Sequence, residues 1–302
     1  MSRKIKIGTR ESALALWQAN FIRESLEKLG IDCELVTIKS DGEKDLVTPL
    51  YEMGVQGIFT KTLDIALLQG RIDLAVHSQK DVPTQLPKGL AIAAVPRRGN
   101  HRDVLVYKDK LPAADAPYMV ATSSLRRSAQ WFNRYPEHQA DVLRGNINTR
   151  LQKLLDNPHW DGALFAAAGI ERIDLEVPHT LALDWMIPAP AQGALALVAR
   201  TEDQDMLQQA GQLNDKETET ATSIERAFLR ELMGGCSMPI GALAQIHGNR
   251  ISFVGCVLTK DGKQIARTDL DCPLEEADQV ANKAAQELWQ RGGRQIIETF
   301  SK

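Results

Sequence analysis

The chain has 302 residues, enough for two or three domains, and its 43% hydrophobic and 25% charged content excludes a disordered or fibrous protein. With 36 Lys and Arg against 39 Asp and Glu, the formal charge of -3 excludes a general electrostatic grip on nucleic acid, so any anion site must be local. No apolar run reaches membrane-spanning length, and the first residues pass into a strand pattern with no signal-type apolar core, which predicts a cytoplasmic protein without membrane insertion.

Lys4 to Thr9 predicts a strand with Ile5 and Ile7 on one face. A helix follows, with Leu14, Trp17, Phe21, Leu26 and Leu29 on the stripe expected to pack on a sheet, and it stops at Gly30. Arg10 and Ser12 lie near its N-terminus, where anions are favoured. Cys33 to Lys39 predicts a second strand, and residues 40–57 have no sustained period and contain Pro49, Gly54 and Gly57, the pattern of a long loop or lid. Phe59 to Leu68 predicts a helix before the strand at Leu74, so the order is β-α-β-α-β and the sheet mostly parallel.

Leu90 to Val95 is another apolar run, and Arg97-Arg98-Gly99-Asn100 reads as a crossing to a second domain with the same grammar. Its strands are expected at 104–107, 118–122, 140–143 and 163–167, and its helices from Ser124 and over 147–155. Ala194 to Ala199 reads as a strand returning to the first domain. The last third predicts a helix over 218–233, strands over 240–246, 251–258 and 265–270, and a closing helix over 274–289. We therefore expect residues 1–97 with 194–215 to form one α/β domain, 98–193 a second, and 216–302 a small α+β domain. A cleft between two α/β lobes suits a small molecule.

Several strand ends carry polar chemistry. The apolar strand at Leu74 runs into Ser78-Gln79-Lys80-Asp81 and stops before Pro83, which places Asp81 at a cleft as an acid or base, or else leaves a solvated Lys-Asp pair. Ser123, Ser124, Arg126 and Arg127 open one helix, and Arg144 and Arg150 flank the next. Arg172 follows the small residues Ala166-Ala167-Ala168-Gly169, which form either a close backbone approach or a packing turn. These arginines and Arg10 suit a ligand with several carboxylates or phosphates, while the chain has no Walker or dinucleotide fingerprint. The cysteines Cys33, Cys236, Cys256 and Cys272 include no C-x-x-C pair, so neither a disulfide framework nor a metal site is expected. Cys236 follows a helix in Gly234-Gly235-Cys236, an exposed thiol or a small residue in a tight turn.

Together Gly8-Thr9-Arg10-Glu11-Ser12, His77-Ser78-Gln79-Lys80-Asp81-Val82-Pro83, Thr122-Ser123-Ser124-Leu125-Arg126-Arg127, Leu143-Arg144-Gly145-Asn146 and Gly234-Gly235-Cys236 resemble the porphobilinogen deaminase family, nearly end to end. The resemblance implies an α/β enzyme with two periplasmic-binding-protein-like lobes around a cleft, plus a small C-terminal α+β domain. It implies a monomer that joins four porphobilinogen molecules head to tail on a covalent dipyrromethane primer, releasing ammonia and then hydroxymethylbilane. Carried over residue by residue, it implies that Cys236 holds the dipyrromethane and that Asp81 is catalytic. Lys80, Ser78, Ser123, Arg126, Arg127 and Arg144 would bind the cofactor with Asp81, and Arg10, Ser12, Ser124, Arg150 and Arg172 the substrate.

Gln56, Gln79 and Ala191 stand where the family usually has lysine, methionine and glycine. Two rival readings follow from the residues alone. A two-lobe solute-binding module would share the basic strand ends without the Cys236 domain, and a phosphate-ester transferase would use the arginines with a metal-ligand cluster that the sequence lacks.

Overall fold

The computed structural model describes residues 4–39, 60–232 and 238–300. The expected lid at 40–57 and Cys236 lie outside them. Alternation of Ile5 and Ile7 with polar or small neighbours gives β1 (Ile5–Thr9) a buried face, and the Ser12 hydroxyl then caps α1 (Ala13–Glu27) by accepting from the Ala15 amide. The helix buries Ala15, Gln18, Ala19, Ile22 and Leu26. This corrects the expected stripe in part: Leu26 is buried, but Leu14 and Trp17 are only partly so, Phe21 and Leu29 are exposed, and Trp17 stacks on Phe21 at 5.4 Å. Ala15 and Ala19 let the helix lie close to the strands, where a bulky ring would hold it off.

β2 (Cys33–Thr37), α2 (Lys61–Leu68), β3 (Leu74–Ser78) and β4 (Leu90–Ala94) continue the first lobe. The second contains β5 (Asp103–Tyr107), β6 (Met119–Ala121), α3 (Leu125–Arg134), β7 (Gln139–Asp141), α4 (Ile147–Asp156), β8 (Gly162–Ala166), α5 (Ala167–Arg172) and β9 (His179–Ala182). β10 (Leu195–Arg200) returns to the first sheet and leads into α6 (Gln204–Gly211).

The sheets run β2-β1-β3-β10-β4 and β7-β6-β8-β5-β9. Each is a parallel trio, then one antiparallel strand, then an edge strand. The antiparallel member is the strand that follows a crossing from the other lobe, β10 in the first and β5 in the second. The two sheets thus share one strand plan, and each takes in a strand that follows a crossing between the lobes.

The C-terminal unit comprises α7 (Lys216–Glu231), the antiparallel β11 (Ile240–His247), β12 (Arg250–Leu258) and β13 (Ile265–Pro273), α8 (Ala277–Gln290) and α9 (Gly293–Glu298). Phe228, Leu232, Ile240, Phe253, Val280 and Leu288 fill its core. Its β12–β13 hairpin turns at Gly262, with φ of +70°, and meets the second lobe where Asn133 Nδ2 donates to the Gly262 carbonyl at 2.8 Å. Among the described residues no helix is long and apolar enough to cross a membrane. No local pattern marks β9, whose residues are all exposed, or α5, whose Ala-Ala-Gly start reads as a turn.

Candidate active site

The strand β3 ends at Ser78 because the next residues, Gln79–Asp81, fold into a single 3-10 turn ahead of Val82-Pro83. Lys80 and Asp81 are half-buried on this turn. Gln18 Nε2 on α1 donates to Ser78 Oγ at 2.8 Å, which fixes the hydroxyl at the strand end. Burial pushes the Lys80 ammonium down to about 8 against the opposing pull of Asp81, and the charges of Arg127 and Arg126 act in the same direction as burial. Burial also holds His77 neutral, down to about 3, with the nearby Arg10 charge adding to the effect. Arg10, in the β1–α1 turn, thus lies near His77 on β3, while Ser12 in the same turn caps α1.

The second lobe meets this turn with cations. Ser124 caps α3 by accepting from the Arg127 amide at 3.5 Å, and Ser123 Oγ donates to the Leu143 carbonyl at 2.7 Å. Arg126 and Arg127 point back toward β5, where one buried carboxylate, Asp103, receives both. Arg126 donates to it at 2.6 and 3.1 Å, and Arg127 Nε at 2.8 Å. Burial alone would raise the Asp103 carboxyl, but the two guanidiniums hold it well below the usual carboxylate range. Gln192, in the second crossing, also donates to Asp103, at 3.1 Å.

Arg144 is buried at 7% exposure, and its Nη1 has no hydrogen-bond partner. Arg150, on α4, donates through Nε to the Gly145 carbonyl at 2.8 Å. Burial pushes Arg150 down to about 10, with Arg127 and Arg144 acting in the same direction and Asp81 opposing them. Residues from both lobes therefore share one electrostatic field: Lys80 and Asp81 from the first, Arg126, Arg127, Arg144 and Arg150 from the second. Arg172 is engaged differently, donating to the Gly193 carbonyl at 2.5 Å and lying over the Trp17 ring at 5.7 Å.

A buried guanidinium with an orphan donor is costly unless an anion completes it. Here two arginines share one carboxylate and a third has an unpartnered Nη1, so the donor set fits a ligand carrying several carboxylates. Among the described residues no group of three or more His, Cys, Asp or Glu could hold a metal ion.

Sequence reasoning missed Asp103, a single acid at the start of a strand with no motif around it. It also missed Glu225 on α7, which is fully buried and accepts from Arg98 Nη1 and Nη2 at 2.6 and 3.1 Å, from the Ala191 amide at 2.6 Å and from the Ala244 amide at 2.8 Å. One carboxylate thereby ties both interlobe crossings to the C-terminal sheet. Ala191, with φ of +61°, occupies the left-handed region that a glycine would enter without strain.

Residues 5–208 match the family model described as "Porphobilinogen deaminase, dipyromethane cofactor binding domain", and residues 220–290 match "Porphobilinogen deaminase, C-terminal domain". The porphobilinogen deaminase of Desulforamulus reducens is 41% identical over 304 residues, covering 99% of this chain and 98% of that protein. The porphobilinogen deaminase of Syntrophotalea carbinolica is 41% identical over 302 residues, covering 98% and 96%. Among solved structures, the methionine-binding protein MetQ aligns at a TM-score of 0.43 and 16% identity, over 74% of this chain and 93% of its own.

Proposed function

The chain belongs to the porphobilinogen deaminase family, enzymes of tetrapyrrole biosynthesis with a dipyrromethane cofactor domain, and we propose that it is a cytoplasmic, monomeric transferase that converts porphobilinogen to hydroxymethylbilane. In this reading residues 1–97 with 194–215 and residues 98–193 are the lobes that enclose the reaction, and 216–302 carry the cofactor cysteine, Cys236. The observation that carries it is the meeting of the Lys80-Asp81 turn with Arg126, Arg127, Arg144 and Arg150 around an unpartnered buried Arg144 Nη1. Every pyrrole in this chemistry brings an acetate and a propionate, the anions such a site lacks.

When bound, the dipyrromethane supplies the covalent primer to which porphobilinogen units are joined. Lys80, Ser78, Ser123, Arg126, Arg127 and Arg144 would hold its side chains, and Arg10, Ser12, Ser124, Arg150 and Arg172 those of the substrate. Asp81 is the one member of the set suited to the opposite task. As ammonia leaves porphobilinogen, positive charge develops on the pyrrole, and a carboxylate near the ring N–H stabilises it and accepts a proton. The surrounding cations orient the substrate by its carboxylates and so bring the pyrrole to Asp81.

The test is an intact mass spectrum of the purified chain beside a Cys236→Ala variant. A mass excess equal to a dipyrromethane should appear in the first and not in the second; an unloaded chain should acquire it on incubation with porphobilinogen. Asp81→Asn should keep the excess and release ammonia about 1000-fold more slowly. A chain that stays unmodified after incubation is a binding protein, and the reading fails.

A further inference from the structure

α7 reaches the candidate site from the C-terminal unit, and Arg226 on it donates to three main-chain carbonyls of the turn that carries Lys80 and Asp81. Nη1 meets the Val82 carbonyl at 2.8 Å and the Gln79 carbonyl at 3.3 Å, and Nη2 meets the Pro83 carbonyl at 2.7 Å. The three acceptors bracket Lys80 and Asp81 on both sides. No carboxylate forms an ion pair with Arg226 among the described residues, so its charge is committed to the turn.

The turn needs this support because the sheet ends before it. The last β3–β10 pair is Ser78 with Leu195, and the Gln79 amide still donates to the Ala194 carbonyl at 3.0 Å. Beyond that point the main chain supplies one bond, from the Val82 amide to the Gln79 carbonyl at 3.1 Å. Pro83 has no N–H to offer. Charge-assisted bonds from a guanidinium are stronger than neutral ones, and a planar fork can serve several oxygens at once. The preceding residue, Glu225, fixes the same turn of α7 to Arg98 and to the Ala191 amide at the two crossings.

We propose that Arg226 is a positioning residue for Asp81: by holding the carbonyls of residues 79, 82 and 83 it sets the place of the Asp81 carboxylate relative to both interlobe crossings. This rests on the role given to Asp81 above. A displacement of about 1 Å in a reacting group costs up to about 100-fold in rate, so the effect belongs in kcat.

The experiment compares Arg226→Ala and Arg226→Lys, each alone and with Asp81→Glu, which keeps the carboxylate but moves it by one methylene. Rates are taken per cofactor-loaded enzyme, counted by intact mass. Arg226→Ala should lower kcat about 10- to 100-fold with KM within about threefold, and Arg226→Lys should recover most of that loss. In the Asp81→Glu background, whose carboxylate is already misplaced, Arg226→Ala should cost less than about threefold more. Amide exchange at Val82 should quicken about tenfold in Arg226→Ala while the amides within α7 keep their protection. Equal losses in both backgrounds, a rise in KM alone, or unchanged exchange at Val82 would overturn the positioning role. Normal turnover by Asp81→Asn would instead remove the role of Asp81 itself; a slow Asp81→Asn beside a silent Arg226→Ala removes this proposal alone.

Discussion

Asp103 holds Arg126 by two hydrogen bonds, of 2.6 and 3.1 Å, with both side chains buried. Arg127 shares the same carboxylate, so the cluster retains one positive charge in excess, available to an incoming anion. Removing the carboxylate would leave two buried guanidiniums facing each other, and we expect Asp103→Asn to lose about 3–5 kcal/mol of stability in urea unfolding. The arginines hold this carboxyl below its ordinary range, so its contribution is full above about pH 4 and is lost as pH falls further. The Asn variant should therefore show a flatter acid limb than the parent chain. A parallel limb would show that Asp103 is not what the acid titrates.

Arg144 presents the opposite case. Its buried Nη1 has no partner, so the folded chain gains nothing from that donor until an anion arrives. Arg144→Met should leave the melting temperature unchanged or raise stability by about 1 kcal/mol, while KM for porphobilinogen rises at least about tenfold or elongation intermediates accumulate. A less stable variant with normal kinetics would mark Arg144 as structural.

Lys80 sets a pH dependence. Its folded value near 8 lies below the ordinary lysine range, so the charged form costs stability at neutral pH, and stability should rise as pH increases from about 8 to 10. Anion binding runs the other way: affinity should be highest below about pH 8 and fall above it as the ammonium loses its proton. Lys80→Gln should remove that inflection from a plot of log KM against pH, and an unchanged inflection would assign it elsewhere.

Gly193 tests the crossing. Its φ of +87° lies in the left-handed region, and an added Cβ would come within 2.7 Å of the Asn100 carbonyl oxygen and 2.9 Å of that of Gly99. Both are backbone atoms of the other crossing, which cannot swing aside. Gly193→Ala should cost about 2 kcal/mol or more and lower the melting temperature. Retention of full stability would mean that the two crossings do not pass as closely as described.

Much of this molecule is written locally. The alternation of Ile5 and Ile7, the Ser12, Ser124 and Asn146 caps, and the polar residues after Leu74-Ala75-Val76 each act within a few residues, so strands, helix starts and the Lys80-Asp81 turn are readable from the chain. Long motifs in order carried the family as well. Local reading failed where a helix had two plausible faces: the large side chains of Trp17 and Phe21 suggested the buried stripe of α1, and packing chose the small Ala15 and Ala19.

By itself, then, the sequence determined the order of most elements, the two-lobe plan and which residue types stand at the strand ends, while β9, α5 and α6 had no local signal. Tertiary structure alone decided what each charge does. Arg126 finds Asp103 from 23 residues away, Arg98 finds Glu225 from 127, and Arg226 reaches Gln79 from 147. Nothing in the sequence around these arginines names the partner that each one finds. Strand exchange between the lobes and the docking of α7 bring carboxylates and carbonyls to some of them and leave Arg144 Nη1 without one, because in a buried site a charge is defined by its partner, and partners separated by a hundred residues are chosen by sheet pairing.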